Sequence, residues 1–463
     1  MKKKALVFIL FALPLLGQEQ LTLEHARELA IKNNHSLQAV KEASKSTASE
    51  KKAAFTYFLP SVQAAGTVEH MNKPFVYETP DLAFPIADAE GNIIVLTDGT
   101  GHPILNAQNE PIVKNWAVIP SQKLTFGEDP ASLYSLSLTQ PIFTGGKLVY
   151  QFKARSAINR AAEALLDKTR ADIILKTDES YWRVVELTEK VTLAEKYLHL
   201  INQHLEDLTN MEEEGLITRH LVLKTIVKKN EAQLMLLKAQ NGLHLSQIAL
   251  NQTLGLPLEE ALVLADSPNA AQSDTLTVLQ RPELAMANEA VNLASAETGL
   301  QRSRYFPNLV AYVQNTWMNP NPWNSLQKEF GSNWSVGLVM QWDIFHWNER
   351  GFQLSAAKSR RKAAKHQLME TEALIQLETN QARYKLQEAT ERITMAQAAL
   401  DAANENLMIT QEQFKEGIAS NAEVLEAQTL WQQAYCEDIE ARIAKCLASS
   451  ELEKALGLIG KEK

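Results

Sequence analysis

Cysteine is almost absent: Cys436 and Cys446 are the two in 463 residues. Ten positions apart on a helix they would stand about 15 Å from each other, too far to bridge, so a disulfide framework is excluded. Basic residues are in the minority, 46 against 55 acidic, for a net charge of −9. That surface does not suit nucleic acid as a partner. No apolar run reaches the roughly 20 residues that a membrane-crossing helix needs. Lys2, Lys3 and Lys4, the apolar residues 5–16 and Gly17 read instead as a cleaved export signal over 1–17. No cysteine follows it, which excludes a lipid anchor. Beyond it the chain either stays soluble or enters a membrane as β-strands. Phosphate-binding loops, zinc-ligand spacings and nucleophile elbows are missing too. The expectation is a non-enzyme with no catalytic residues, no cofactor and no metal site. The ten histidines are scattered, and His199 and His204 are expected on the surface of a helix.

What the chain has is itself, twice. Gln151, Ala154, Gly215, Val222, Leu223, Ala232, Leu254 and Gly255 recur 202 positions later as Gln353, Ala356, Gly417, Val424, Leu425, Ala434, Leu456 and Gly457. An offset of 247 maps Leu37 to Leu284, Phe58 to Tyr305, Pro60 to Pro307 and Val62 to Leu309. The offsets differ by 45, so the first copy carries about 45 extra residues between Pro60 and Gln140. Insertions collect in loops and seldom in packed elements. The plan is therefore a first repeat over 18–257, a loose connector over 258–280 and a second repeat over 281–463.

Glycine and proline are missing between Gly146 and Gly215, which predicts one helix about 105 Å long over 145–214. Gly215 breaks it, and a return helix follows over 219–254. The second copy repeats this with helices at 349–416 and 420–456 around Gly417. Val184, Leu187, Val191, Ala194, Leu198, Ile201, Leu205 and Leu208 alternate by three and four, as coiled-coil helices do. Leu386, Ala389, Ile393, Ala396, Leu400, Ala403, Leu407 and Thr410 keep that phase in the second copy. Helices this long need further neighbours on their other faces.

Four short segments, about 61–70, 133–140, 308–317 and 334–342, have strand periodicity. Trp334, Val336, Leu338, Met340 and Trp342 alternate with small or polar residues, and so do Tyr134, Leu136 and Leu138. One apolar face over about nine residues is the pattern of a transmembrane barrel strand. Six of the eight tryptophans lie in or beside these segments, where interface girdles belong. Four strands cannot close a barrel, and an open edge in lipid leaves backbone groups unpaired, so copies must associate. The rival reading is a soluble periplasmic coiled-coil adaptor or scaffold.

The stretches LTLEHARELAIKNNHSL, FLPSV with its partner YFPNL, QPIFTGGK at 140–147 and FKEGIASNAEVLEAQ at 414–428 resemble those of TolC-type outer membrane efflux proteins. The resemblance covers essentially the whole mature chain. It implies a mainly α protein with a transmembrane β-barrel portion: a homotrimer with a 12-stranded barrel in outer membrane lipid, continued by an α-helical tunnel across the periplasm. It further implies an exit duct for an inner-membrane pump of RND or ABC type, joined by a periplasmic adaptor. The turns at Gly215 and Gly417, with Phe414, Leu221 and Ala419 beside them, would be the periplasmic tips. Glu423 and Glu426, three apart on one helix face, would line the constriction.

The chain departs from relatives in two places at those tips. Leu221 stands where relatives can be acidic, and Ala419 where some are basic. Arg219 is a substitute partner for Glu423 to be tested against geometry. The insertion, about 72–131, holds the turn clusters DAEGN, TDGTG and NAQNEP and is expected to be an extracellular β-hairpin extension.

Overall fold

A computed structural model describes residues 20–70, 72–73, 75–126, 130–268, 281–324 and 328–459. Residues 1–17, expected to be an export signal, and the second half of the expected connector lie outside them. The chain divides into a helical unit (Met1–Ala54, Val149–Arg302 and Trp347–Lys463) and a strand unit (Phe55–Leu148 and Ser303–His346).

The duplication is visible in the helix ends. The helical elements are α1 (Leu23–Asn33), α2 (His35–Thr56), α3 (Lys147–Glu213), α4 (Arg219–Leu254), α5 (Pro282–Ser303), α6 (Glu349–Lys415) and α7 (Asn421–Ala455). The two long helices α3 and α6, 67 residues each, start and stop 202 positions apart. The short helices α2 and α5, 22 residues each, start and stop 247 apart. The joints match as well. Asn34, just before α2, donates from Nδ2 to the Thr253 carbonyl in the last turn of α4 (3.1 Å). Arg281, just before α5, donates from Nη1 to the Ala455 carbonyl that ends α7 (2.9 Å). The two pairs are equivalent under the same offsets. In each copy the residue before the short helix thus donates to one carbonyl in the last turn of the return helix; the Ala455 carbonyl also accepts the Thr379 hydroxyl (3.3 Å).

Side chains set the lateral order of the helices. α3 meets α2 through Arg155–Glu50 (2.7 Å) and α4 where Leu187 faces Gly242. On its other side it meets α5 through Arg160–Glu289 (2.7 Å) and α7 through Arg442–Glu189 (2.7 Å) and Lys454–Asp172 (2.6 Å). α7 in turn meets α6 through Lys385–Glu451 (2.9 Å). The coiled-coil stripe is buried at Val184, Leu187, Ala194, Ile201 and Leu208 on α3, and at Ala389, Ala396, Leu400, Leu407 and Thr410 on α6. At the two ends of this row, α4 exposes Leu223, Val227, Leu234, Leu237 and Leu245, and α6 exposes Leu374, Leu377, Tyr384, Met395 and Met408. These apolar flanks are the further faces that the sequence leaves in need of neighbours.

The first half of the connector is not loose. The Asp266 carboxylate accepts the Leu23 backbone N–H (2.7 Å) and the Tyr181 hydroxyl (2.9 Å), and Leu264 bridges to Leu21. Tyr181 is fully buried among Leu21, Ala26, Ala30, Leu250 and Leu254. A buried phenol needs a partner for its O–H, and Asp266 supplies it, tying the connector to α3.

In the strand unit, β1 (Ser61–Glu69), β2 (Phe75–Glu78), β3 (Leu82–Pro85), β4 (Trp116–Ile119), β5 (Lys123–Phe126), β6 (Ala131–Phe143), β7 (Asn308–Asn319) and β8 (Gly331–Gln341) follow in order. The main sheet is antiparallel, β1-β6-β7-β8, with β1 and β8 at its edges. Its register decides the faces, because side chains alternate and directly paired residues share a face. One cross-strand row is Val62, Leu138, Val313 and Val336. The next is Gln63, Ser137, Gln314 and Ser335. The same alternation puts Tyr134 and Leu136 with Trp334, Leu338 and Met340 on the apolar face. Trp342 falls one residue past β8. Trp334 is 71 % exposed and Leu338 67 %, so no described element covers this face.

The insertion is a hairpin arm, with β2 paired to β5 and β3 to β4 as separate two-stranded ribbons. Beyond them three small turns repeat one device. The carboxylate of Asp88 accepts the N–H groups of Glu90 and Asn92, that of Asp98 accepts those of Thr100 and His102, and the Asn106 amide oxygen accepts those of Gln108 and Glu110, all at 2.8–3.1 Å. Each turn has a residue with positive φ three places on: Gly91, Gly101 and Asn109. Such side chains hydrogen-bond their own backbone and so set the turn.

Candidate gate at the two hairpin turns

Both long hairpins reverse through the same backbone motif. Gly215 (φ 75°) donates to Glu212 and Leu216 to Met211; Gly417 (φ 78°) donates to Phe414 and Ile418 to Gln413. This is a helix C-terminus closed by a left-handed residue, for which glycine has no Cβ penalty. The turns differ at the start of the return helix. Thr218 precedes α4 with no side-chain cap. Ser420 precedes α7 with a complete capping box: its Oγ accepts Glu423 N–H (3.3 Å), and Glu423 Oε2 accepts Ser420 N–H (2.6 Å). Leu221, at the position equivalent to Glu423, cannot complete such a box.

Glu423 therefore has a job within its own chain. The Ser420 backbone N–H, and then its side chain, hold the Glu423 carboxyl below the usual carboxylate range. Glu426 lies one turn along, exposed, while Val424, Leu425, Ala427 and Gln428 between and beside them are buried. Arg219 is not a partner of Glu423. Its Nη1 lies 3.3 Å from Glu212 across its own turn, on the opposite hairpin. Ala419 takes part only through its backbone, donating to Gln413 (3.2 Å). Ser420→Ala removes the box and is expected to cost about 1 kcal/mol. It should also let Glu423 titrate at a higher pH. In the parent protein the lowered carboxyl contributes stability above pH 4.5, lost as pH falls through the depressed value. Thermal unfolding across pH 3–6 checks both effects.

The structure corrects the surface placement of His204. His199 is exposed, but His204 on α3 is 5 % exposed. Its Nε2 lies 2.6 Å from Oδ1 of Asn421, the first residue of α7. Its ring meets Phe414, in the last turn of α6, edge to face at 5.0 Å. One buried imidazole thus clasps both helices of the second turn to the first hairpin. Burial pushes the His204 imidazole below its ordinary value, against opposing pulls from Asn421 and Asp207. The signal was in the sequence: Tyr197, Ile201, His204 and Leu208 recur by four, three and four, a second stripe sharing members with the first. Two buried amides on the same side of α7 are incompletely satisfied, Asn421 Nδ2 and both side-chain atoms of Gln428.

Residues 120–256 and 276–458 match the outer membrane efflux protein family, one block in each copy. The alkaline protease secretion protein AprF of Pseudomonas aeruginosa is 22% identical over 345 residues, 70% of this chain and 69% of that one. The outer membrane protein VceC of Vibrio cholerae has a similar fold, with a TM-score of 0.73 at 16% identity over 94% of this chain and 96% of its own. The CmeC outer membrane channel of Campylobacter jejuni gives 0.73 at 16% identity, covering 94% and 85%.

Proposed function

The chain belongs to the outer membrane efflux protein family, exit ducts for efflux or secretion, and from that premise we propose that three copies join edge to edge, β8 of one to β1 of the next. The product is a barrel of 12 strands with its apolar rows in lipid and its polar rows around a lumen. The helices form a tunnel in the periplasm, α6 of one copy being covered by α4 of the next. A cleaved, unlipidated export signal delivers the chain. A periplasmic adaptor and an inner-membrane pump of RND or ABC type supply cargo and energy.

One observation carries this reading: a sheet with one mainly apolar, exposed face and one mixed face richer in polar residues, and both edges open. A soluble sheet that exposes valine, leucine and tryptophan across four strands would aggregate. In lipid that face is satisfied, and pairing between copies removes the edges. At the tip, Glu423 and Glu426 from three copies place six carboxylates around the axis. Like charges held close favour a bound cation.

In planar bilayers the purified protein is expected to conduct with a preference for cations. Divalent cations added on the periplasmic side should block it. Glu423→Gln with Glu426→Gln should raise the blocking concentration at least about ten-fold, the scale of losing about 1.4 kcal/mol per bound ion. Unchanged block would move the constriction elsewhere. A water-soluble monomer recovered without detergent would remove the duct.

A further inference from the structure

The arm between β1 and β6 has no core. Among its described residues none is buried, yet β3 and β4 carry large apolar side chains on both faces. Leu82 pairs with Ile119 on one face, which Phe84 shares. Val118, paired with Ala83, and Trp116, paired with Pro85, lie on the other. Phe84, Trp116 and Val118 are each more than half exposed. A lone two-stranded ribbon is marginal in water, and one that is apolar on both sides needs cover on both.

Three observations identify the cover. The arm begins six residues past the end of β1, Glu69 to Phe75. β1 is an open edge, so the arm leaves the sheet at the seam where the next copy must pair. Tethering there holds neighbouring arms at an effective concentration on the order of millimolar. Second, a ring of three requires each copy to offer two different surfaces, one to each neighbour. A ribbon with two unlike apolar faces supplies them, whereas docking on a lipid surface needs one. Third, the turns beyond the ribbon carry Asp88, Glu90, Asp98 and Glu110. The carboxyls of Asp88 and Asp98 are held low, first by Asn92 N–H and by the Thr100 side chain respectively, so they stay charged. Charges at the turns repel an anionic headgroup layer and leave the ribbon as the sticky part.

We propose that the β3/β4 ribbons of three copies pack face to opposite face into a closed collar, each copy seating Phe84 and Leu82 against Trp116 and Val118 of the next. The inference rests on the three-copy reading above.

The test uses the full chain in detergent with Cys436→Ser and Cys446→Ser as background. Phe84→Cys and Val118→Cys lie on opposite faces of one ribbon, so they cannot bridge within an arm. Together they are expected to give covalent dimers and trimers on oxidation; either alone should give none. In the unsubstituted protein, amides of residues 82–119 should exchange at least about ten-fold more slowly than in a Phe84→Ser, Val118→Ser variant. A trimeric mass with no cross-links and unprotected ribbon amides overturns the collar and leaves the three-copy duct standing. A monomeric mass overturns both. Protection that appears only with vesicles containing lipopolysaccharide assigns the ribbon to the membrane, and the collar falls.

Discussion

Arginine at Val336 is expected to abolish the detergent-stable trimer, while arginine at its neighbour Ser335 leaves it intact. The two positions are adjacent at the middle of β8, so strand propensity and depth are nearly the same. They differ in face. Val336 closes a row of Val62, Leu138 and Val313; Ser335 closes a row of Gln63, Ser137 and Gln314. On a lipid face near mid-membrane an arginine costs roughly 2–4 kcal/mol. Three copies in one barrel carry it three times, on the order of the entire stability of a domain. On the lumen face the guanidinium stays in water. There it changes only the field, so Ser335→Arg should weaken cation preference in reversal potentials. Size-exclusion chromatography with light scattering reads the first effect and bilayer recording the second. If both variants assemble, the apolar face is not in lipid; if neither does, the sheet tolerates no charge on either side and the lumen assignment fails.

Most of the helical plan was legible in the sequence, for a physical reason. A 67-residue helix advertises itself by missing glycine and proline, and the 202 offset repeats its register without a gap. The strands were legible as alternation, but their shared face was not. That needed the pairing of Leu138 with Val313 and of Val313 with Val336, and register between distant strands is not a local property. Glu423 shows another limit. A glutamate three after a serine at a helix start serves as a cap or as a pore charge with the same letters, and only the 2.6 Å contact to Ser420 N–H reveals the first role. Asp266 was unreadable because its partners, Leu23 and Tyr181, are 243 and 85 positions away. His204 was readable and was missed, because the stripe that contains it overlaps the stripe that was read.

His204 also has the second large expected effect. His204 holds the second turn to α3 by one buried hydrogen bond and one ring contact, next to the apolar cluster that includes Ile201, Leu407 and Ala427, while Asn421 Nδ2 and, two turns along α7, the Gln428 amide go without hydrogen-bond partners among the described residues. Such a contact belongs at the low-stability end of a structure, where local opening is cheap. Replacing His204 with phenylalanine leaves the Asn421 oxygen buried and unpaired, a cost of about 1–3 kcal/mol, or roughly 5- to 150-fold in the opening equilibrium of the turn. Acid should imitate the substitution. Asp207, on α3 itself, is the charge that acts on the imidazole; α6 presents Phe414 and α7 presents Asn421. The folded imidazole binds its proton less readily than the unfolded one. Its contribution is therefore complete above pH 6.5 and is lost as pH falls below that value toward the depressed one. Hydrogen exchange of residues 411–424, corrected for intrinsic rates, should accelerate between pH 7.5 and 5.5 in the parent protein. In His204→Phe it should be fast throughout and flat with pH. Equal pH dependence in the two would show that the clasp does not hold the turn.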